Sequence, residues 1–296
     1  MIFPNRLLIL ATLMLATSAA NAEELYDIKL SRPFKVGMQY DRQVTATMKQ
    51  KTTLKIAGAQ ADRPREEEFQ LELSGRFETL EVDDDGHETQ LAVTVEKFER
   101  IQDEKREPLA EPGQVIIARS EDGETQFSLK NGELSPAAQS MLPLVIDVHD
   151  PQSADDDDIF GTDEKQPIGG SWLIDSEVLA RDFARQDLGT VDPADVKGRS
   201  TLVSIMKEDG TPCLHIQGEL HVSRFGGQMK DGTRIAGGEM TAAFAGLFPI
   251  DNATLPLADS VAMEMRLTVK AVIQGHDATV ETELTRTREG KTRMVE

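Results

Sequence analysis

The sequence predicts an α+β fold in which one large, curved, mainly antiparallel β-sheet carries two mid-chain helices on one of its faces. Three observations predict this class. Apolar and polar residues alternate through most of the chain, and Asp-Gly or Asn-Gly turns separate the alternating runs. Two segments in the middle of the chain have helical spacing instead. The alternating runs number about ten, and their short connections imply antiparallel pairing.

The first strands are long. In residues 38–56 the apolar side chains occupy even positions, which places them on one face of a strand or bent pair of strands. In residues 69–82 they begin on odd positions and change parity at Leu80, as a β-bulge would cause. The turn at 83–86 ends in Asp-Gly and predicts a hairpin to the next strand.

The second half of the chain repeats this pattern. Asp209 and Gly210 separate two alternating runs, and residues 261–273 alternate without interruption. Such long strands favour one curved sheet. Two β-sandwiches divided near residue 165 are the alternative, and a subdivision at that point within a single domain stays open.

The two predicted helices lie between these groups of strands. Ser135 and Pro136 form an N-cap followed by proline at the first helical position, and helical spacing continues to residue 148. Pro143 lies inside this segment, so a short or kinked helix is expected. Ser176 opens the second predicted helix, and Gly189 is expected to end it.

The N-terminus has the pattern of an export signal. Arg6 precedes a short apolar run over residues 7–16, and Ala20-Asn21-Ala22 provides the small residues of a cleavage site. The apolar run is well short of the ~20 residues that cross a bilayer. We therefore expect a cleaved signal peptide over residues 1–22, a single domain over 23–296 without a transmembrane segment, and a periplasmic or secreted location.

Composition excludes several classes of function. The chain has 52 acidic residues against 32 Lys and Arg, a formal net charge of −20. A nucleic-acid binder or a protein attracted to anionic membranes needs the opposite balance, so neither partner is expected. Cys213 is the only cysteine, which excludes an internal disulfide and the cysteine-rich structural zinc sites.

Motif searches identify no catalytic, cofactor or metal site. The chain lacks the nucleophile elbow, the zinc-protease motif and the glycine-rich phosphate loops, so an enzyme is not predicted and no cofactor is implied. The acidic segment 155–164 could hold Ca²⁺, but it lacks the alternating pattern of a calcium loop, and a solvated charge run is favoured. His87 and His276 fall in predicted turns and are expected to be exposed, while His215 and His221 fall on a polar strand face.

Methionine on strands is the less ordinary feature. Methionine adapts to varied apolar ligands because its unbranched thioether side chain is flexible. The candidate ligand-binding residues are the following inward-facing side chains: Met240, Phe244, Phe248, Met263 and Met265. Ordinary core packing explains the same residues and stays open as the alternative.

Two resemblances add to these expectations. The segments 156–161, 169–172 and 196–198 resemble a family of uncharacterised exported bacterial proteins of planctomycete and verrucomicrobial type. That resemblance implies export, and because the family has no settled activity it assigns no functional residue. The order of strands, two helices and strands behind a signal peptide is similar to the periplasmic lipoprotein-carrier half-barrel, whose curved sheet and helices enclose an apolar cavity. Fold alone does not determine function.

Two functions follow as hypotheses. In the first, an exported, non-enzymatic binding module holds an apolar small molecule or lipid between the sheet and the helices. In the second, a structural or interaction protein has a fully packed core and binds another protein of the cell envelope.

Overall fold

The structure is a computed structural model that describes residues 24–57, 64–121, 123–185, 189–228, 233–273 and 276–295. The expected signal peptide, residues 1–22, lies outside the described residues. Among the described residues, the helices are all too short or too polar to cross a membrane.

One antiparallel sheet organises the chain. Its thirteen strands have the following bounds: β1 Gln39–Ile56, β2 Arg65–Val82, β3 Glu88–Gln102, β4 Lys105–Ala110, β5 Val115–Glu121, β6 Glu124–Leu129, β7 Ser171–Leu173, β8 Thr190–Val191, β9 Val196–Glu208, β10 Thr211–Gln228, β11 Arg234–Pro249, β12 Ala258–Ile273 and β13 His276–Met294. Along the sheet the order is β6-β5-β3-β2-β1-β13-β12-β11-β10-β9-β7, with β4 paired to β3 and β8 paired to β10.

The first and last strands join the two halves of the sheet. Strands β1 and β13 pair antiparallel from Tyr40 opposite Met294 to Ile56 opposite Ala278. This pairing makes the sheet continuous from one half of the chain to the other. The predicted single curved antiparallel sheet is confirmed, and the pair of sandwiches is wrong.

The strand count differs from the prediction for a simple reason. Strands β7 and β8 have three and two residues, too few to show an alternation in sequence, and the six residues of β4, Lys-Arg-Glu-Pro-Leu-Ala, do not alternate. The bulge predicted from the parity change is present, because the register between β2 and β3 shifts on both sides of Glu81.

Three α-helices lie over one face of the sheet: α1 Pro136–Met141, α2 Asp156–Phe160 and α3 Ser176–Arg185. The Ser135 side chain accepts a hydrogen bond from the Ala138 backbone N–H, as the predicted N-cap requires. A 3-10 turn with Pro143 at its second position follows α1, so the helix is short, as the internal proline predicts. The expected end of α3 near Gly189 follows residues 186–188, which lie outside the described residues.

The acidic run is a helix start rather than a solvated loop, which corrects the prediction. Asp155 is the N-cap of α2, and its side chain accepts from the Asp158 backbone N–H while the Asp158 side chain accepts from the Asp155 N–H. This reciprocal arrangement is a capping box. Carboxylates at the first turn also suit the positive end of the helix dipole.

The face of the sheet that the helices cover is called the inner face, and the opposite face is the outer face. The first core lies over β1, β2, β3 and β5 and includes Leu71, Val93 and Ile116, with α1 against it. The second core joins α2 and α3 to β9 and β10 through residues such as Phe183 and Val222. A third, smaller core packs Ile28 and Leu30 on the same side.

Candidate functional site

The centre of the inner face lies between the first and second cores. Inward-facing side chains of β12 and β13 form this central strip, which consists of Val261, Met263, Met265, Leu267 and Leu284, with Arg286 and Arg288 at one end. Val261 is 37% exposed, and Met263 and Leu284 are half-buried. Helix α1 packs near β4, whereas α3 packs near β8 and β9. The strip is therefore apolar but only partly covered.

The structure places the five candidate residues on one face, as the alternation predicts. Met240 pairs with Met265 across β11 and β12, and both pack at the edge of the second core. Met263 lies at the middle of the central strip. Phe244 packs against the third core, and Phe248 is part of it. Met263 and Met265 therefore belong to the central strip and Met240 lies next to it, whereas both phenylalanines pack in or against the third core.

Phe244 lies flat on the neighbouring strand. A Cβ added at Gly218 of β10 would lie 2.0 Å from the Phe244 Cε1 atom, so glycine alone fits beneath the ring. The ring also makes an edge contact with Phe160 of α2, with 5.0 Å between centroids. These contacts hold Phe244 in a packing role, and the methionines are the better candidates for contact with a ligand.

The polar end of the strip is an ion-pair network. The Arg42 Nη2 atom lies 2.6 Å from Asp259 Oδ1, and Arg288 Nη2 lies 3.6 Å from Asp259 Oδ2. Glycine at position 290 of β13 leaves room for the Asp259 and Arg42 side chains to meet over the strand, because an added Cβ would lie only 2.5 Å from Asp259 Oδ1. Arg286 donates to the Leu144 carbonyl, 2.9 Å away. Burial and the neighbouring Arg288 lower the pKa of Arg286.

Asp156 of α2 lies close enough to this network for Arg288 to affect its pKa. Surrounding protein, Asp147 and Asp155 together raise the pKa of Asp156 to about 6, against a smaller effect of Arg288. The neutral form of this carboxyl is therefore favoured more than in an ordinary aspartate.

The outer face has an open groove of about 940 Å³ on the opposite side of the same strands. Its floor consists of small side chains such as Thr241, Ala243, Ala262 and Thr287. Its rim has both charged and apolar side chains. One of them, Leu173 of β7, is 75% exposed. The groove is a feature that the sequence analysis missed, because small residues on an outward face give no distinct pattern.

His87 is part of a compact polar cluster, which corrects the expectation that it is exposed. Its Nδ1 lies 3.1 Å from Asp83 Oδ2, and its Nε2 lies 3.1 Å from Asp155 Oδ2. The His149 ring lies 4.3 Å from the His87 ring, centroid to centroid. All four side chains are only 15–19% exposed. Burial and the nearby His87 lower the pKa of His149.

The other titratable candidates have simpler surroundings. His221 and His276 are exposed, as predicted for a polar strand face and a turn. Cys213 is fully buried. Asp155 and Asp158 accept backbone N–H groups at the start of α2, and Asp157 accepts from the Leu30 backbone N–H, so these carboxylates point to separate partners rather than to one calcium position.

Comparisons with known proteins show no family. No family model matches the chain, and no curated protein matches it. Among solved structures, one of lipid–protein interactions in lipovitellin has a TM-score of 0.34 and 8% identity and covers 86% of this chain. The chain spans about a quarter of that lipovitellin chain, 25%. The attachment invasion locus protein Ail of Yersinia pestis has a TM-score of 0.15 and 7% identity over 86% of this chain and 99% of its own. Neither likeness is close enough to support an argument about function.

Proposed function

We propose that this protein is an exported, non-enzymatic binding module that holds an apolar ligand, such as the acyl chain of a lipid, against the central strip. The observation that carries the proposal is the row of Met263, Met265 and Leu267 on β12, which is only partly buried although Met265 and Leu267 lie against the edge of the second core. A protein that buries Leu71 and Val93 completely leaves this apolar row accessible, and accessible apolar surface is typical of binding sites.

Burial of the row supplies the driving force. Each buried methylene of an acyl chain contributes roughly 0.8 kcal/mol, and methionine side chains adjust to chains of different shape. Arg286 and Arg288 at the end of the strip would lie beside the polar end of such a lipid. In this proposal the signal peptide at 1–22 directs the protein to the periplasm or the medium, where it meets its ligand.

Native mass spectrometry tests whether a ligand is present. The protein is expressed with its leader in a bacterial periplasm, purified gently and measured under native and denaturing conditions. The proposal expects an added mass of lipid size that disappears on denaturation. Displacement of a fluorescent fatty acid by unlabelled fatty acid then gives an affinity and does not require that a ligand survive purification.

Matched variants locate the site. Met263→Gln and Met265→Gln together place two amides against the acyl chain, and each buried amide without a partner costs about 1–3 kcal/mol. We expect the fluorescent ligand to bind at least tenfold more weakly, since about 1.4 kcal/mol corresponds to tenfold. Met206→Gln is the control, because Met206 is 44% exposed on β9 and lies away from the strip. Equal binding by the control and the double variant contradicts the proposed site.

The groove on the outer face favours a second candidate, an interaction protein that docks a segment of another envelope protein. Exposed Leu173 at the rim is the observation that supports it. Leu173→Glu would weaken the capture of such a partner and leave the fatty-acid affinity unchanged. If the wild-type protein binds no fatty acid and releases no lipid, this second function becomes the better explanation.

A further inference from the structure

Two regions that are distant in the chain, the turn at 83–87 and residues 149–155, bring two histidines and two aspartates together. Asp83 and His87 belong to the turn between β2 and β3, His149 follows the 3-10 turn after α1, and Asp155 caps α2. A backbone hydrogen bond holds His149 beside the start of β3, because the His149 N–H donates to the Glu88 carbonyl at 2.8 Å. The cluster therefore lies where the helical layer joins the sheet.

We propose that Asp83, His87 and His149 form a binding site for a divalent first-row transition metal ion, with Zn²⁺ as the reference ion. Each of the three residues offers one ligand atom, and these atoms all lie within 4.8 Å of one another. Asp83 Oδ2, which faces both His87 Nδ1 and His149 Nε2, is the carboxylate oxygen that we assign to the ion. The proposal does not depend on the apolar ligand, since Asp83, His87 and His149 are not among the residues of the central strip.

The distances suit such an ion. Zinc bonds to nitrogen and oxygen are about 2.0–2.2 Å, so tetrahedral ligand atoms lie about 3.4 Å apart. Asp83 Oδ2 is 3.1 Å from His87 Nδ1 and 3.8 Å from His149 Nε2, which are on either side of that value. Two imidazoles and one carboxylate select a transition metal over Ca²⁺ or Mg²⁺, which prefer oxygen ligands. Three protein ligands leave a fourth position for water.

The surroundings orient the ligands in advance. Asp83 Oδ1 already accepts the backbone N–H groups of Asp85 and His87, at 3.0 and 2.8 Å, so Oδ2 is the oxygen directed at the histidines. Asp155 Oδ2 lies 3.1 Å from His87 Nε2. A carboxylate that holds the far nitrogen of a histidine fixes the tautomer and makes the near nitrogen a better ligand. Asp155 thus has the role of an outer partner rather than a ligand.

Cobalt and zinc titrations test the site. The full protein, without a histidine tag and in millimolar Ca²⁺ to saturate oxygen-only sites, is titrated with Co²⁺ while its visible absorption is followed, and with Zn²⁺ in a calorimeter. We expect one equivalent of each ion and a melting temperature that rises with Zn²⁺ concentration, because an ion that binds only the folded state stabilises it.

Variants assign the ligands. His87→Ala and His149→Ala should each weaken Zn²⁺ binding by about 100-fold or more, and Asp155→Asn by about 10–100-fold, the range found for outer partners. Asp83→Asn retains the oxygen that accepts the turn N–H groups and removes the charged ligand, so it separates loss of metal from loss of fold. His221→Ala, an exposed histidine on the outer face, is the control and should bind as the wild type does.

Two results would overturn the proposal. One is a wild-type protein that shows neither a cobalt band nor zinc heat, in which case His87 simply bridges the two aspartates through hydrogen bonds. The other is a zinc affinity that is unchanged in both the His87 and His149 variants, which would place the ion elsewhere on the acidic surface.

Discussion

Gly218→Ala tests whether Phe244 is held by the strand beneath it. The new Cβ would lie 2.0 and 2.4 Å from the Phe244 Cε1 and Cζ atoms. Carbon atoms in contact normally lie about 3.5–4.0 Å apart, so the ring must withdraw by roughly 1.5 Å or more. Such overpacking costs about 1–3 kcal/mol. Alanine is preferred to glycine in a strand by roughly 0.5–1 kcal/mol, which offsets part of that cost. We expect a net loss of about 1–2 kcal/mol in the free energy of unfolding.

Urea unfolding of a double-mutant cycle measures this effect. Gly218→Ala is compared in the wild-type background and in Phe244→Ala, where the ring is absent. With the ring removed, the alanine should stabilise the protein slightly, so the two backgrounds differ in sign. Gly237→Ala on β11 is the control, because its added Cβ has nothing within 4 Å. An equal cost of Gly218→Ala in both backgrounds would refute the packing role assigned to Phe244.

Three further predictions concern single contacts. Asp41 accepts two hydrogen bonds from Arg76 and one from Arg293, and the Arg76 bonds hold its pKa below the usual 3.8. Asp41→Asn should therefore lower the free energy of unfolding by up to about 1 kcal/mol at neutral pH. This difference from the wild type should disappear as the pH falls through the lowered pKa of Asp41. Urea midpoints at a series of pH values measure it, and a difference that persists in acid contradicts the prediction. Trp172→Phe removes the hydrogen bond that Trp172 Nε1 donates to the Phe160 carbonyl, 2.8 Å away. It should lower the free energy of unfolding by about 1 kcal/mol, measured by chemical denaturation followed by circular dichroism. Ser135→Ala removes the N-cap bond to Ala138 and should cost about 1 kcal/mol, whereas Ser135→Asp should retain most of the stability in the same assay.

The strand pattern was predictable from sequence because a sheet face imposes a period of two. Alternation in residues 38–56 and 261–273 identified β1 and β12, and it placed Met240, Met263 and Met265 on one face. Short elements were not predictable in this way. The three residues of β7 are too few to show a period, and the five residues of α2 begin with acidic side chains that also suit a solvated loop.

The fold class, the faces of the long strands, the main turns and the N-cap at Ser135 could be predicted because each depends on residues close together in the chain. The pairing of β1 with β13, the position of the central strip between two cores, and the contacts of His87 with His149 and Asp155 could not. The physical reason is the same in each case. Local pattern specifies which face a side chain occupies, but its neighbours on that face depend on the order of strands in the sheet and on where the helices pack, which are set by long-range pairing.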